Sequence, residues 1–191
     1  MKTDTMVFEM YPYNRVTNTM TIPIRLSRFD DLYNPIDPSP APTRDLSKEL
    51  VDYLDQCSNE IDSEFKIDLT IEIINEPVNL GREKECLGSI NNFYKHEIFV
   101  TEKRIKTTRK SAFKHLLISL ACLSTYVISM QFEMAGLITD ILKEAILIGG
   151  WVFMWESVTH NFIQIEPFYD EIKKFERIIS APIRFVYSVE E

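Results

Sequence analysis

Residues 116–132 carry neither an acid nor a base, the longest such run in the apolar stretch AFKHLLISLACLSTYVISMQF at 112–132. A backbone in so apolar a setting must satisfy its own N–H and C=O groups, so the run is read as helix whether it crosses a bilayer or fills a core. A spanning helix needs about 20 mostly apolar residues, with a lower limit near 17. Two segments reach that limit, 116–132 and AILIGGWVFMWESVTHNFI at 145–163.

The flanks favour a membrane. Lys103, Arg104, Lys106, Arg109, Lys110 and Lys114 stand before the first segment, and Lys173, Lys174 and Arg177 follow the second. The connector between them, 133–144, carries Glu133, Asp140 and Glu144 against Lys143. By the positive-inside rule the two segments form a hairpin whose ends lie in the cytoplasm. Small residues four apart, Ala121, Thr125 and Ser129 on one helix with Ala145 and Gly149 on the other, form the expected seam. Two buried helices in a soluble α+β protein are the alternative, but these need neither a basic collar nor an acidic turn.

The remaining sequence alternates between strand and helix patterns. Ile22, Ile24 and Leu26 share one side of IPIRLSR, the first expected strand. Prolines at 35, 38, 40 and 42 then impose an extended connector. Asp45 is a candidate N-cap for a helix over 45–58 with Leu46, Leu50, Leu54 and Cys57 as its apolar stripe. KIDLTIEII at 66–74 is the clearest strand. A helix over 83–114 leads into the apolar run, and the tail reads as an amphipathic helix, FYDEIKKFERII, then a strand with Ile183, Phe185 and Tyr187 on one face. The three strands pair if the hairpin leaves and returns on one side. The expected fold is therefore α+β: a small cytoplasmic three-stranded α/β domain interrupted by a two-helix transmembrane hairpin. Its parts are an N-terminal extension (1–21), the first part of the domain (22–111), the hairpin (112–163) and the closing helix and strand (164–191).

Charge and motifs narrow the function classes. The net charge of −8 opposes binding to phosphate backbones, so no nucleic-acid partner is expected. Cys57, Cys86 and Cys122 are too far apart for a metal motif and suit a reducing compartment. The first residues lack the apolar core of a signal peptide. The glycines form no phosphate-binding loop, and no nucleophile elbow or zinc-hydrolase motif occurs, so neither enzyme activity, cofactor nor metal is expected. Glu156 and His160, four apart, form a possible intramembrane polar pair, the alternative being an interfacial position for both. His96 is read as an exposed helix residue and His115 as interfacial. The bases from Lys103 to Lys114 set topology or meet lipid head groups.

DPSPAPTRDL at 37–46, the basic helix, GGWVFMW at 149–155 and the terminal APIRFVY together resemble a group of uncharacterised bacterial two-span membrane proteins. The resemblance implies the topology and no activity. It also implies a basic or polar residue soon after the GWV segment, where this chain has Glu156. The expected role is a non-catalytic protein of the cell inner membrane, both termini cytoplasmic. Its soluble domain would recruit or sense a protein partner, and its hairpin would anchor it in the lipid bilayer or make a homo-oligomer. The alternatives are a homo-oligomeric channel or proton-conducting effector, with bacterial defence as one setting, and a soluble enzyme with buried helices.

Overall fold

The structure, a computed structural model, describes residues 3–132 and 136–188. It is a mixed α+β arrangement with a four-stranded sheet and one long helix. The chain divides into two compact units, Met1–Phe99 with Ile172–Glu191, and Val100–Glu171.

In the first unit the strands lie in the order β1 (Tyr13–Asn14), β2 (Thr19–Leu26), β3 (Lys66–Ile73) and β4 (Ile183–Tyr187). β2, β3 and β4 are parallel, and β1 is antiparallel to β2. Ile22 lies opposite Leu69 and Ile24 opposite Ile71, while Leu69 and Ile71 face Ile183 and Phe185 on the other side. Because side chains alternate, this register places the apolar residues of all three parallel strands on one face. The other face holds Thr21, Asp68, Glu72, Arg25 and Arg184, with Arg25 bonded to Glu72 and Arg184 to Asp68.

The sheet thus has four strands rather than the expected three. The extra one, β1, falls within the segment read as an N-terminal extension, as does α1 (Thr3–Met10). A two-residue strand is too short to show alternation. It is set by its turn, where Asn18 adopts φ 53°, a left-handed conformation that asparagine tolerates. The Asn18 carboxamide accepts from Tyr13 Oη at 2.8 Å and donates to the Glu64 carbonyl at 3.1 Å.

Helices cover the apolar face. α2 (Lys48–Glu60) starts at Ser47, whose Oγ accepts the Leu50 N–H at 3.3 Å, so the N-cap is Ser47 and not Asp45. Asp45 instead gives its N–H to Asp37 Oδ2 at 2.8 Å. That bond and those from Ser39 hold the Asp37 carboxyl below the usual carboxylate range. The proline connector is closed at its base by the Tyr33–Leu46 bridge. It docks on α3 (Leu80–Ser129) through Ser89 Oγ to the Ala41 carbonyl and Asn92 Nδ2 to the Pro42 carbonyl at 2.9 Å. Burial, against the opposing effect of the Ser89 hydroxyl, pushes Tyr33 up to about 12 and, against that of Tyr33, the neighbouring Cys86 thiol up to about 11. Cys86 is therefore a core residue and not a reactive one.

α5 (Glu166–Ser180) contributes Phe175 and Ile178 to the core. It also carries Arg177, which the sequence offered only as a topology charge. Its guanidinium donates to the carbonyls of Ser58 and Ile61 at 3.3 and 2.9 Å, and of Asp62 and Phe65 at 2.8 and 2.7 Å. A helix leaves its last carbonyls unpaired, and a planar fork can reach several at once, whereas an ammonium cannot. Arg177→Lys is expected to lower unfolding stability by about 2–4 kcal/mol, since hydrogen bonds to charged groups contribute roughly 1.5–3 kcal/mol each and do not add fully. Chemical denaturation of the full chain measures it, and a loss below about 0.5 kcal/mol, the range of ordinary surface substitutions, would show that the carbonyls find other partners.

Candidate functional site

The second unit is helical. It contains α3 from residue 100 onward, α4 (Leu137–Val158), a π-helical turn at Thr159–Ile163, and the first residues of α5. α4 begins within the segment expected to be a connector, and Glu133 lies outside the described residues. Among the described residues α3 is the one helix long and apolar enough to cross a membrane, by length and composition. The uncharged part of α4 is shorter, bounded by Glu144 and Glu156.

The two helices touch where bulk is smallest. Ser119 of α3 is fully buried and donates its Oγ–H to the Gly150 carbonyl of α4 at 2.7 Å. A Cβ on Gly150 would lie 2.9 Å from Leu123 Cδ2 and 3.3 Å from Cys122 Cβ, so glycine is what permits the approach. The small residues expected at the seam sit elsewhere. Ala121, Thr125 and Ala145 are exposed, Ser129 turns its hydroxyl back to the Tyr126 carbonyl, and a Cβ on Gly149 would meet nothing within 4 Å. The seam lies one residue away on α4, because only the neighbouring helix decides which side of a helix is covered.

Below this contact the structure assembles a polar cluster. His160, on the π turn, stacks on His115 of α3 with ring centroids 5.2 Å apart. His160 Nδ1 lies 2.5 Å from Gln164 Oε1, and Nε2 lies 3.8 Å from Glu156 Oε1. The Phe153 ring also lies beside His115, with centroids 5.9 Å apart. Gln164 returns its N–H to the Thr159 carbonyl, the five-residue spacing of a π turn, which adds a residue and re-aims the side chains around it. The spacing of Glu156 and His160 was visible in the sequence, and Gln164 joins them on the same turn. His115 was not, because its partner is 45 positions away, on another helix.

Lys103, Arg104, Lys106, Arg109, Lys110 and Lys114 are all exposed on α3, and Arg109 donates to Tyr169 Oη of α5 at 2.6 Å. Among the described residues no group of three His, Cys, Asp or Glu side chains is placed to hold a metal ion. The cluster therefore offers two imidazoles, a carboxylate and a carboxamide, groups suited to proton exchange or to orienting the helices. Comparison with protein-family models, with curated proteins and with solved structures gives no match for this chain.

Two neighbouring glycines give a paired expectation. Gly150→Ala should destabilise the helical unit by about 1–3 kcal/mol through overpacking against Leu123 and Cys122, whereas Gly149→Ala should cost nothing. Thermal unfolding of the full chain in detergent measures both, and equal effects would place the helix contact elsewhere.

Proposed function

We propose that this is a membrane-anchored, non-catalytic protein. In this reading α3 and α4 form a two-helix hairpin in the cell inner membrane, both termini are cytoplasmic, and the sheet unit recruits or senses a protein partner. The observation that carries it is exposure. Only 11% of the most apolar window of α3 is buried, whereas the core helix of a soluble protein is mostly buried. Leu117, Leu120, Val127 and Ile128 on α3, with Ile141, Ile148, Trp151 and Trp155 on α4, are exposed, an apolar surface far beyond scattered single residues.

The exposed bases from Lys103 to Lys114 support the orientation, since they precede the apolar run on the side expected to face the cytoplasm. Each would contribute about 1 kcal/mol of attraction to anionic head groups when near the surface. For recruitment, the sheet unit offers a cleft of about 640 Å³ between β2, Tyr33 and the start of α2, with Asp31 and Glu49 on its rim.

Fractionation tests the anchor. The full chain should stay with membranes through an alkaline wash and require detergent for extraction. Leu120→Asp with Ile128→Asp should release it, because each charge inside a span costs about 2.5–3.5 kcal/mol. A detergent-free, monodisperse wild-type preparation would overturn the reading and restore the soluble alternative.

A second reading, a homo-oligomeric channel or proton-conducting subunit, draws on the cluster of His115, Glu156, His160 and Gln164. Under it, proton flux into liposomes should fall at least several-fold with Glu156→Gln. Equal flux from both proteins would remove that residue from any conduction path.

A further inference from the structure

The two edges of the sheet are built differently. On the outer side of β2, Pro23 has no N–H to offer and its carbonyl accepts Tyr53 Oη at 2.8 Å. The Thr21 N–H on the same side is taken by the Pro12 carbonyl at 2.9 Å. A proline and a side chain laid along an edge are means of refusing a further strand. β4 has neither. Its ladder to β3 uses the Pro182 carbonyl and the Ser188 N–H, so alternation turns the N–H and C=O groups of Ile183, Phe185 and Tyr187 outward. Among the described residues none of these six outward groups has a hydrogen-bond partner.

The side chains of β4 are also incompletely covered. Leu69, Ile71 and Ile73 on β3 are fully buried, but Ile183, Phe185 and Tyr187 opposite them are only partly so. On the open face Val186 is 46% exposed.

We propose that β4 pairs antiparallel with β4 of a second copy of this chain, about a two-fold axis at Phe185, joining the two sheets into one. In that register Phe185 meets its own counterpart, Ile183 meets the second copy's Tyr187, and Arg184 meets the second copy's Val186. The residues that meet with their main-chain groups facing are 183, 185 and 187, the ones whose groups point outward. Three N–H groups from each copy then find carbonyls across the axis. Apolar side chains oppose apolar ones, and Arg184, already bonded to Asp68 in its own chain, opposes an uncharged residue.

Other registers are worse. A slip of one residue sets the apolar face against the polar one. Centring on Arg184 opposes two like charges, and centring on Val186 leaves two main-chain pairs within β4 rather than three. This self-complementarity identifies the occupant as a second copy rather than an unrelated strand. The inference uses the sheet unit alone and stands whether or not α3 crosses a bilayer.

Charge at position 186 tests it, because Val186→Lys brings like charges opposite Arg184 twice per dimer and Val186→Glu brings opposite charges twice. Sedimentation equilibrium of the full chain, in detergent if extraction requires it, should show the dimer dissociation constant raised for Lys and lowered for Glu, each by roughly 2- to 30-fold. Amide exchange at Ile183, Phe185 and Tyr187 should slow as concentration rises through that constant. Equal association of all three proteins, a monomer in every case, or weakening by both charges would overturn the proposal. So would exchange at these amides that does not vary with concentration. A dimer held only by the helices gives the first of these results and leaves the membrane reading intact.

Discussion

The parallel pairing of β4 with β3 is the contact on which the rest of the sheet unit depends. The two strands are separated in the chain by residues 74–182, yet Leu69, Ile71 and Ile73 lie directly opposite Ile183, Phe185 and Tyr187. The entropy of closing so long a loop grows only slowly with its length. Burial of Leu69, Ile71 and Ile73, at about 1.5–3 kcal/mol for each side chain, is of the size needed to offset it. Once β4 is in place, α5 is held over the apolar face and Arg177 reaches the carbonyls at the end of α2. The helical unit is consequently an insertion whose two ends belong to one fold.

The two units are stabilised in different ways. The sheet unit has a dry core of aliphatic and aromatic side chains, drawn from β2, β3, α2, α3 and α5. In the helical unit large apolar side chains point outward, and the close contacts between helices use Ser119, Gly150 and a stacked histidine pair. Such an inversion has a physical meaning. In water it would leave apolar area unburied, whereas in lipid the outward residues cost nothing and small or polar residues give the packing.

Legibility in the sequence followed the range of the interactions. The alternation in KIDLTIEII led directly to β3, and APIRFVY to β4, because period two is a property of the strand itself. β1 escaped because its two residues carry no period. The sequence offered Asp45 as the cap, but α2 starts two residues later and Ser47 takes the Leu50 N–H, while the Asp45 N–H goes to Asp37. The proline connector was rightly non-helical, but its docking on Ser89 and Asn92 of α3 depends on residues some 50 positions away.

The sequence by itself determined the strands with a clear alternation, β2, β3 and β4, the helices α2, α3 and α5, where the charge lies, and that the 116–132 run is apolar enough for a membrane, because these follow from residue type and local spacing. Tertiary structure alone decided the order of the sheet, the use of Arg177 as a clamp, the choice of Gly150 over Gly149, and the meeting of His115 with His160. Each of those depends on which surface comes to face which, and a linear pattern carries no record of the partner.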